Sequence, residues 1–410
     1  MDSPPGSSPS PKTAAWPLDR WDVAGAFGDI GILFPIALAL VSLNHMNPTA
    51  VFFTAGLAYI LAGAYFRIPI SVQPFKAVAA IALAFHLAPS SIASAGLLMG
   101  ILFAFIGLTN LVNPLANLFT LPIVRGIQLG LGLILIREGV RLAVSPKAGA
   151  LVIAGVPVSP WQVALGGAAV LLIFQRSRRF PSALVLLAAG VLLGVLAQRG
   201  EWNFLGWGPL PFEVLHPRVE ELKKVLVALV VPQFALTFGN SIVATENTAA
   251  TLYGPQARRV TAHALSLSIG LMNLVSGTLV SAPSCHGSGG ITAHYKFGAR
   301  TSRSSYVIGG VCLLLALFGR AAVGLLRFIP VAVLGVFLVY VGVQHAALIR
   351  DILRRGAPLI VATSVGLVSL VTTNLTWGFL AGFLLEGVVT LFRRTRAKAA
   401  RAAESSEAGG

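Results

Sequence analysis

The chain has 410 residues, of which 56% are hydrophobic and only 11% charged, with a mean hydropathy of +0.82 and a formal net charge of +16. A soluble domain carries about 25% charged residues, so these values exclude a soluble globular protein and point to many membrane crossings rather than one anchor. The surplus of Lys and Arg then reads as cytoplasmic loop charge rather than a nucleic-acid footprint, and Cys285 and Cys312 form neither a CxxC nor a Cys/His cluster of metal-ligand spacing.

Residues 1–20 are rich in Pro and Ser and lack the apolar centre of a signal peptide, so a disordered cytoplasmic tail is expected there. Apolar runs between charged or Pro/Gly breaks then give about fourteen transmembrane segments. They cover roughly 22–43, 48–66, 69–86, 91–112, 119–136, 159–175, 181–198, 223–250, 260–280, 282–299, 304–319, 324–345, 357–373 and 375–392. The stretch between 137 and 160 resists division. Residues 21–198 form a first seven-span repeat, 199–222 an external connecting loop and 223–392 a second repeat. Residues 393–410 are expected to be a basic, disordered cytoplasmic tail with no room for a folded domain. With the N-terminus inside, 18 of the 30 basic residues fall in cytoplasmic segments and nine in the opposite loops. The remaining three, Lys76, Arg125 and Lys296, lie within spans. That bias fits an integral plasma- or inner-membrane protein with both termini cytoplasmic.

Two echoes indicate the repeat. AFGDIG at 26–31 matches TFGNSI at 237–242, with Phe27 and Phe238 211 residues apart. FTLPIVRGIQLGLGLILI at 119–136 matches RFIPVAVLGVFLVYVGV at 327–343, with Pro122 and Pro330 208 residues apart. Each pair occupies the same ordinal span of its half. Seven is odd, so the second half is inverted in the membrane relative to the first, a common plan in secondary transporters.

The repeat pairs span 3, ISVQPFKAVAAIALAF at 70–85, with span 10, SAPSCHGSGGITAHYKFGAR at 281–300. Both are expected to enter as an extended piece and turn helical midway. Gln73 can cap and Pro74 suits a first helical turn, while the run Gly287, Ser288, Gly289, Gly290 is poor mid-membrane helix at about 1 kcal/mol per Gly. Irregular backbone at that depth survives only inside protein or along a cavity. Corresponding breaks in two halves therefore mark a transport site. Lys76 adds a cation where the helix dipole is already positive, so two half-helix starts plus Lys76 make an anion site whose backbone N–H groups and Ser288 hydroxyl donate to the ligand. The alternative is a lysine that snorkels to the interface.

Among intramembrane carboxylates, Asp29 with its repeat partner Asn240 should flank the broken helices. Asp29 then carries a coupling proton, holds Lys76 or Arg125, or simply fixes span 1. Glu246 lies late in span 8, near the cytoplasmic mouth, and Glu386 at a span end. His286 and His294 flank the second half-helix start, with His286 the better substrate candidate and a structural histidine the alternative. Arg125 reads as a structural ion pair. With Phe75 and Ser241 beside these positions, the candidate substrate-binding set is Gln73, Phe75, Lys76, Asn240, Ser241, His286, Ser288, Gly289 and Gly290. Asp29 and Glu246 serve coupling or scaffolding. No catalytic residue, metal ligand or cofactor is expected.

FGDIGILFPIALAL at 27–40, SVQPFKAVAA at 71–80 and PQFALTFGNSIVATENTAATLYG at 232–254 resemble the molybdate transporter family, a branch of the sulfate permease superfamily, over roughly residues 20–392. HYKFGART at 294–301 resembles the end of span 10 in sulfate permeases. The resemblance implies an all-α membrane fold of fourteen spans in two inverted repeats, divided into core (spans 1–4 and 8–11) and gate (spans 5–7 and 12–14), with the anion between the half-helices of spans 3 and 10. It implies transport of an oxyanion, molybdate first, coupled to a proton or another ion, and it is compatible with a homodimer in the bilayer. Sulfate permeases end in a STAS domain, for which this chain has no room, and Asn240 stands where many of them and the nucleobase symporters carry an acid. Both departures favour molybdate. The alternatives are a sulfate or bicarbonate transporter of the same fold, a nucleobase–proton symporter, a channel or a membrane-embedded enzyme; for the last, no nucleophile–base pair or metal cluster is visible.

Overall fold

The computed structural model describes residues 19–407 except 110, 117–119, 146–149, 154, 175–181, 198–205 and 327. The expected N-terminal tail up to residue 18 lies outside the described residues, as does the basic run at 176–179. The rest is predominantly helical, and the helices follow the order read from the sequence.

Span 1 comprises Arg20–Ala26, a 3-10 turn at Phe27–Asp29 and Ile30–Asn44, with a bend of 44° between its two parts. Span 2 is Pro48–Phe66, started by Pro48 in the first turn and by Asn47, whose side chain accepts from Ala50 N at 3.3 Å. Span 3 is a two-residue strand, Gln73–Pro74, followed by the helix Lys76–Phe85. Asn44 Nδ2 donates to Ala82 O and Leu87 O at 2.8 and 2.9 Å and so closes the end of that short helix. Span 4 is Pro89–Leu108, span 5 Leu121–Val144, span 6 Pro160–Phe174 and span 7 Ser182–Leu196.

Span 8 runs from Val219 to Tyr253 and contains two π turns, Leu226–Val230 and Thr237–Val243. Span 9 is Ala262–Thr278 and span 10 the strand Ser284–Cys285 followed by the helix Ser288–Lys296. Span 11 is Arg303–Leu317, span 12 Val331–Ala346, span 13 Gly356–Thr372 and span 14 begins at Leu375.

Inverted symmetry is visible in the packing. Span 2 lies along span 11 and span 9 along span 4, the exchange expected when each span maps onto the one seven places on. Span 5 packs on spans 12 and 13, and span 12 in turn on spans 5 and 6. The self-related pair 5 and 12 approaches backbone to backbone. A Cβ on Gly132 would sit 2.6 Å from Gly342 O, and one on Gly139 would sit 2.6 Å from Gly335 O. Small residues permit such contact where lipid offers no hydrophobic drive between helices. Extensive pairings stay within spans 1–4 plus 8–11 or within spans 5–7 plus 12–14, which is the expected core and gate.

Three expectations need correction. Span 5 does not end near 136 but continues to Val144, because Arg137 and Arg141 both pair with Glu138 and the charges stay on the helix. A hairpin of Leu151–Ile153 with Val156–Val158 then occupies part of the stretch that resisted division. Span 12 starts at Val331 rather than 324, since Pro330 occupies its N-cap, and residues Gly319–Leu326 form a separate helix turned 82° from span 11. The tail after 392, expected to be irregular, extends the last helix to Glu407. Its Ala, Arg, Lys and Glu are strong helix formers and need no new nucleus once span 14 has formed.

Candidate functional site

Spans 3 and 10 meet at their extended pieces. Gln73–Pro74 pairs antiparallel with Ser284–Cys285, Gln73 opposite Cys285 and Pro74 opposite Ser284. Phe75 N donates to Pro283 O at 2.8 Å. The second strand is pinned from span 9 by Asn273, which accepts from Ser284 N at 2.8 Å and donates to Ser284 O at 2.6 Å. Ser71 Oγ accepts from Gly287 N at 3.0 Å and donates to Gly287 O at 2.8 Å. These bonds satisfy the irregular backbone inside protein, as mid-membrane depth requires, and they bring the starts of two half-helices, at Lys76 and Ser288, next to each other.

The residues named from sequence divide into three groups. Ser288 and Gly289 face open space: Gly289 is exposed, and a Cβ built on it meets no atom within 4 Å. Ser288 Oγ donates to Asn240 Oδ1 at 3.1 Å, so span 8 reaches the second half-helix through Asn240. Lys76 is 8% exposed and, among the described residues, makes no salt bridge and no side-chain hydrogen bond. Its electrostatic neighbours are Asp29, Cys285 and His345.

A second group supports the site from behind. Asp29 is fully buried and accepts from Tyr59 Oη at 2.8 Å and from Gln73 Nε2. It thus fixes Gln73, whose amide packs against the backbone at Gly287 and Gly290. Gly290 is buried there and not open to a ligand. Phe75 is fully buried, and Ser241 is buried beside the Cys285 thiol. The FG echo is therefore structural as well: Phe27–Asp29 makes a 3-10 turn and Phe238–Asn240 lies in a π turn. The last residue of each reaches one of the two broken spans.

A third group lies elsewhere. His286, expected in the substrate set, is fully buried with Nδ1 on Ser71 O and Nε2 on Ser268 Oγ, both at 2.8 Å. Both ring nitrogens are used to join spans 3, 9 and 10, so none is left for a ligand. Glu246 stands half-buried in the first turn of Ala244–Tyr253, the part of span 8 that packs along the second half-helix, and makes no hydrogen bond or ion pair among the described residues. Arg125 forms its ion pair with Asp351 at 2.5 Å, and Glu386 accepts from Thr120.

One expectation about the donors is revised. The first half-helix does not present all its N–H groups, because Ala77 N and Val78 N both donate to Gln233 Oε1, at 2.9 and 3.2 Å. Sequence reading also passed over His345. It lies on span 12, is 8% exposed, and has a buried Nδ1 without a partner among the described residues. His294 Nδ1 bonds Gly25 O at 2.8 Å, its buried Nε2 has no partner among the described residues, and its ring lies edge-on to Tyr59 near Asp29. The described residues hold no cluster of three or more His, Cys, Asp or Glu suited to a metal ion.

Against known proteins, a family profile described as "Molybdate transporter of MFS superfamily" matches residues 22–135 and 225–344, more than half of the chain. The chain is 28% identical over 406 residues to molybdate transporter 2 of Arabidopsis thaliana, covering 89% of this chain and 86% of that one. It is 28% identical over 498 residues to molybdate transporter 1 of Chlamydomonas reinhardtii, covering 94% of each. Among solved structures it resembles the transmembrane domain of the cyanobacterial bicarbonate transporter BicA, with a TM-score of 0.65, 18% identity, and coverage of 88% of this chain and 97% of that one. It also resembles the murine Solute Carrier 26 family member A9 anion transporter in the inward-facing state, with a TM-score of 0.67, 16% identity, and coverage of 93% and 70%. The superfamily named in the profile's description is built from six-span halves. The seven-segment halves found here depart from that plan, and the fold resemblance is to the two solved structures.

Proposed function

Because the chain belongs to the molybdate transporter family, we propose that it is a secondary active transporter of molybdate that works by moving its core spans against its gate spans. The observation that carries this reading is the pair of half-helix starts, with Lys76, unpaired among the described residues, at one and an open Gly289 and Ser288 at the other. A tetrahedral dianion fits such a place. Helix N-termini favour negative charge, uncovered N–H groups can approach its oxygens, and Lys76 supplies a full charge. The curated relatives named as molybdate transporters supply the choice of oxyanion.

Proton coupling follows from charge. Lys76 and Asp29 together are formally neutral, so a dianion brings uncompensated charge to a membrane interior, where that is costly. A proton taken up with it on Asp29 offsets part of that charge. The Arg-rich segments 258–259, 300–303, 350–355 and 393–401 lie on one side under the alternation of spans, so both termini are assigned to the cytoplasm.

The test is uptake into liposomes holding the purified protein. Molybdate should accumulate when the outside is made acidic, and tungstate should compete strongly, sulfate less so and uracil not at all. Uptake of uracil, or sulfate uptake that outpaces molybdate, contradicts the reading.

A further inference from the structure

Span 8 is bonded to both half-helices, and its bond to the first is made by Gln233, a residue outside the candidate set read from the sequence. Gln233 is 1% exposed. Its Oε1 takes the N–H groups of Ala77 and Val78, and its Nε2 donates to Thr237 Oγ1 at 2.8 Å. Thr237 opens the π turn that carries Asn240 to Ser288. One side chain therefore closes the first half-helix and anchors the segment that touches the second.

The residue type is informative. A helix start that donates two N–H bonds to one side chain favours a carboxylate over a neutral acceptor there, because the dipole adds to the hydrogen bonds. Glu has the same reach as Gln and would be the stronger cap. It would also place a negative charge one residue from Lys76, the cation assigned to the anion. A carboxamide gives the cap geometry without the charge.

We propose that Gln233 is a specificity-determining positioning residue. Its neutral amide completes the first half-helix so that an oxyanion takes its backbone donors from the second half-helix and its cation, Lys76, from the first. The proposal rests on the oxyanion reading above.

The test uses the purified full-length protein and two variants, Gln233→Glu and Gln233→Leu, with thermal unfolding and molybdate titration on each. Gln233→Glu keeps both acceptor bonds, so it should unfold at or above the parent's temperature and yet bind molybdate at least tenfold more weakly. Gln233→Leu removes the acceptor and should lose both stability and affinity. This split between stability and binding is what a merely structural cap would not produce. Parent-like affinity in Gln233→Glu overturns the proposal, as does unfolding of that variant well below the parent, since neutrality would then serve the fold. If the parent itself binds no molybdate, the oxyanion reading fails. The cap is then still judged by unfolding alone, where equal temperatures for the Glu and Leu variants refute it.

Discussion

Asp29 shows how a single residue can be placed by sequence and yet be read only in part. Its position in FGD, opposite Asn240 in the repeat, puts it at the broken spans, and there it is found. What composition could not give is its direction: it accepts from Tyr59 and Gln73 and stands behind the extended pieces rather than among the open groups at Gly289. If Asp29 carries the coupling proton, Asp29→Asn keeps one neutral acceptor oxygen for Gln73 and turns an NH2 group toward Tyr59 Oη, which can accept from it. Uptake of molybdate should then lose its dependence on pH while binding at low pH stays within about threefold of the parent. Binding that collapses at every pH in a folded variant would make Asp29 a scaffold only. His286 illustrates the opposite error. A histidine beside a glycine run suggests a ligand contact, but both its nitrogens are bonded inside the protein. Gln233 was missed because nothing local marks it; its partners lie 155 and 156 residues away in sequence.

At the level of elements, the extended pieces are the least ordinary feature of the fold and depend on side chains from neighbouring spans. Asn273 satisfies both backbone groups of Ser284 and also bonds Ile269 O at 2.7 Å. Leaving a buried donor or acceptor unpaired costs about 1–3 kcal/mol. Asn273→Leu, which fills the space but offers no partner, should therefore lower stability by about 2 kcal/mol or more, read as a fall in the unfolding temperature of the detergent-solubilised protein. An unchanged temperature would show that the Ser284 strand is held without it. The breaks themselves were legible, since Pro74 is unfavourable inside a helix and the Gly287–Gly290 run is a poor place for one to pass through. The strand pairing between them was not, because two residues carry no periodicity. The ends of spans 5 and 12 moved for equally local reasons. A charge on a helix does not stop it when Glu138 lies between two arginines, and Pro330 does start one.

For the whole molecule, the inverted repeat was legible from two short echoes at nearly equal offsets, and the packing of span 2 on 11 against that of span 9 on 4 is its spatial form. The electrostatic influence of Lys76 on the gate side was not legible, because His345 comes within its range only through the packing of span 12 on span 5. The central claim is that an oxyanion binds where the two half-helices start. It is tested most directly by calorimetric titration of molybdate into the purified parent, Lys76→Met and Gly289→Val proteins, each checked for parent-like thermal unfolding. Since a Cβ at Gly289 meets no protein atom and Lys76 has no ion pair to lose among the described residues, both variants should fold. The parent should bind with saturation, Lys76→Met at least tenfold more weakly, and Gly289→Val not measurably; parent-like affinity in both folded variants would contradict the account.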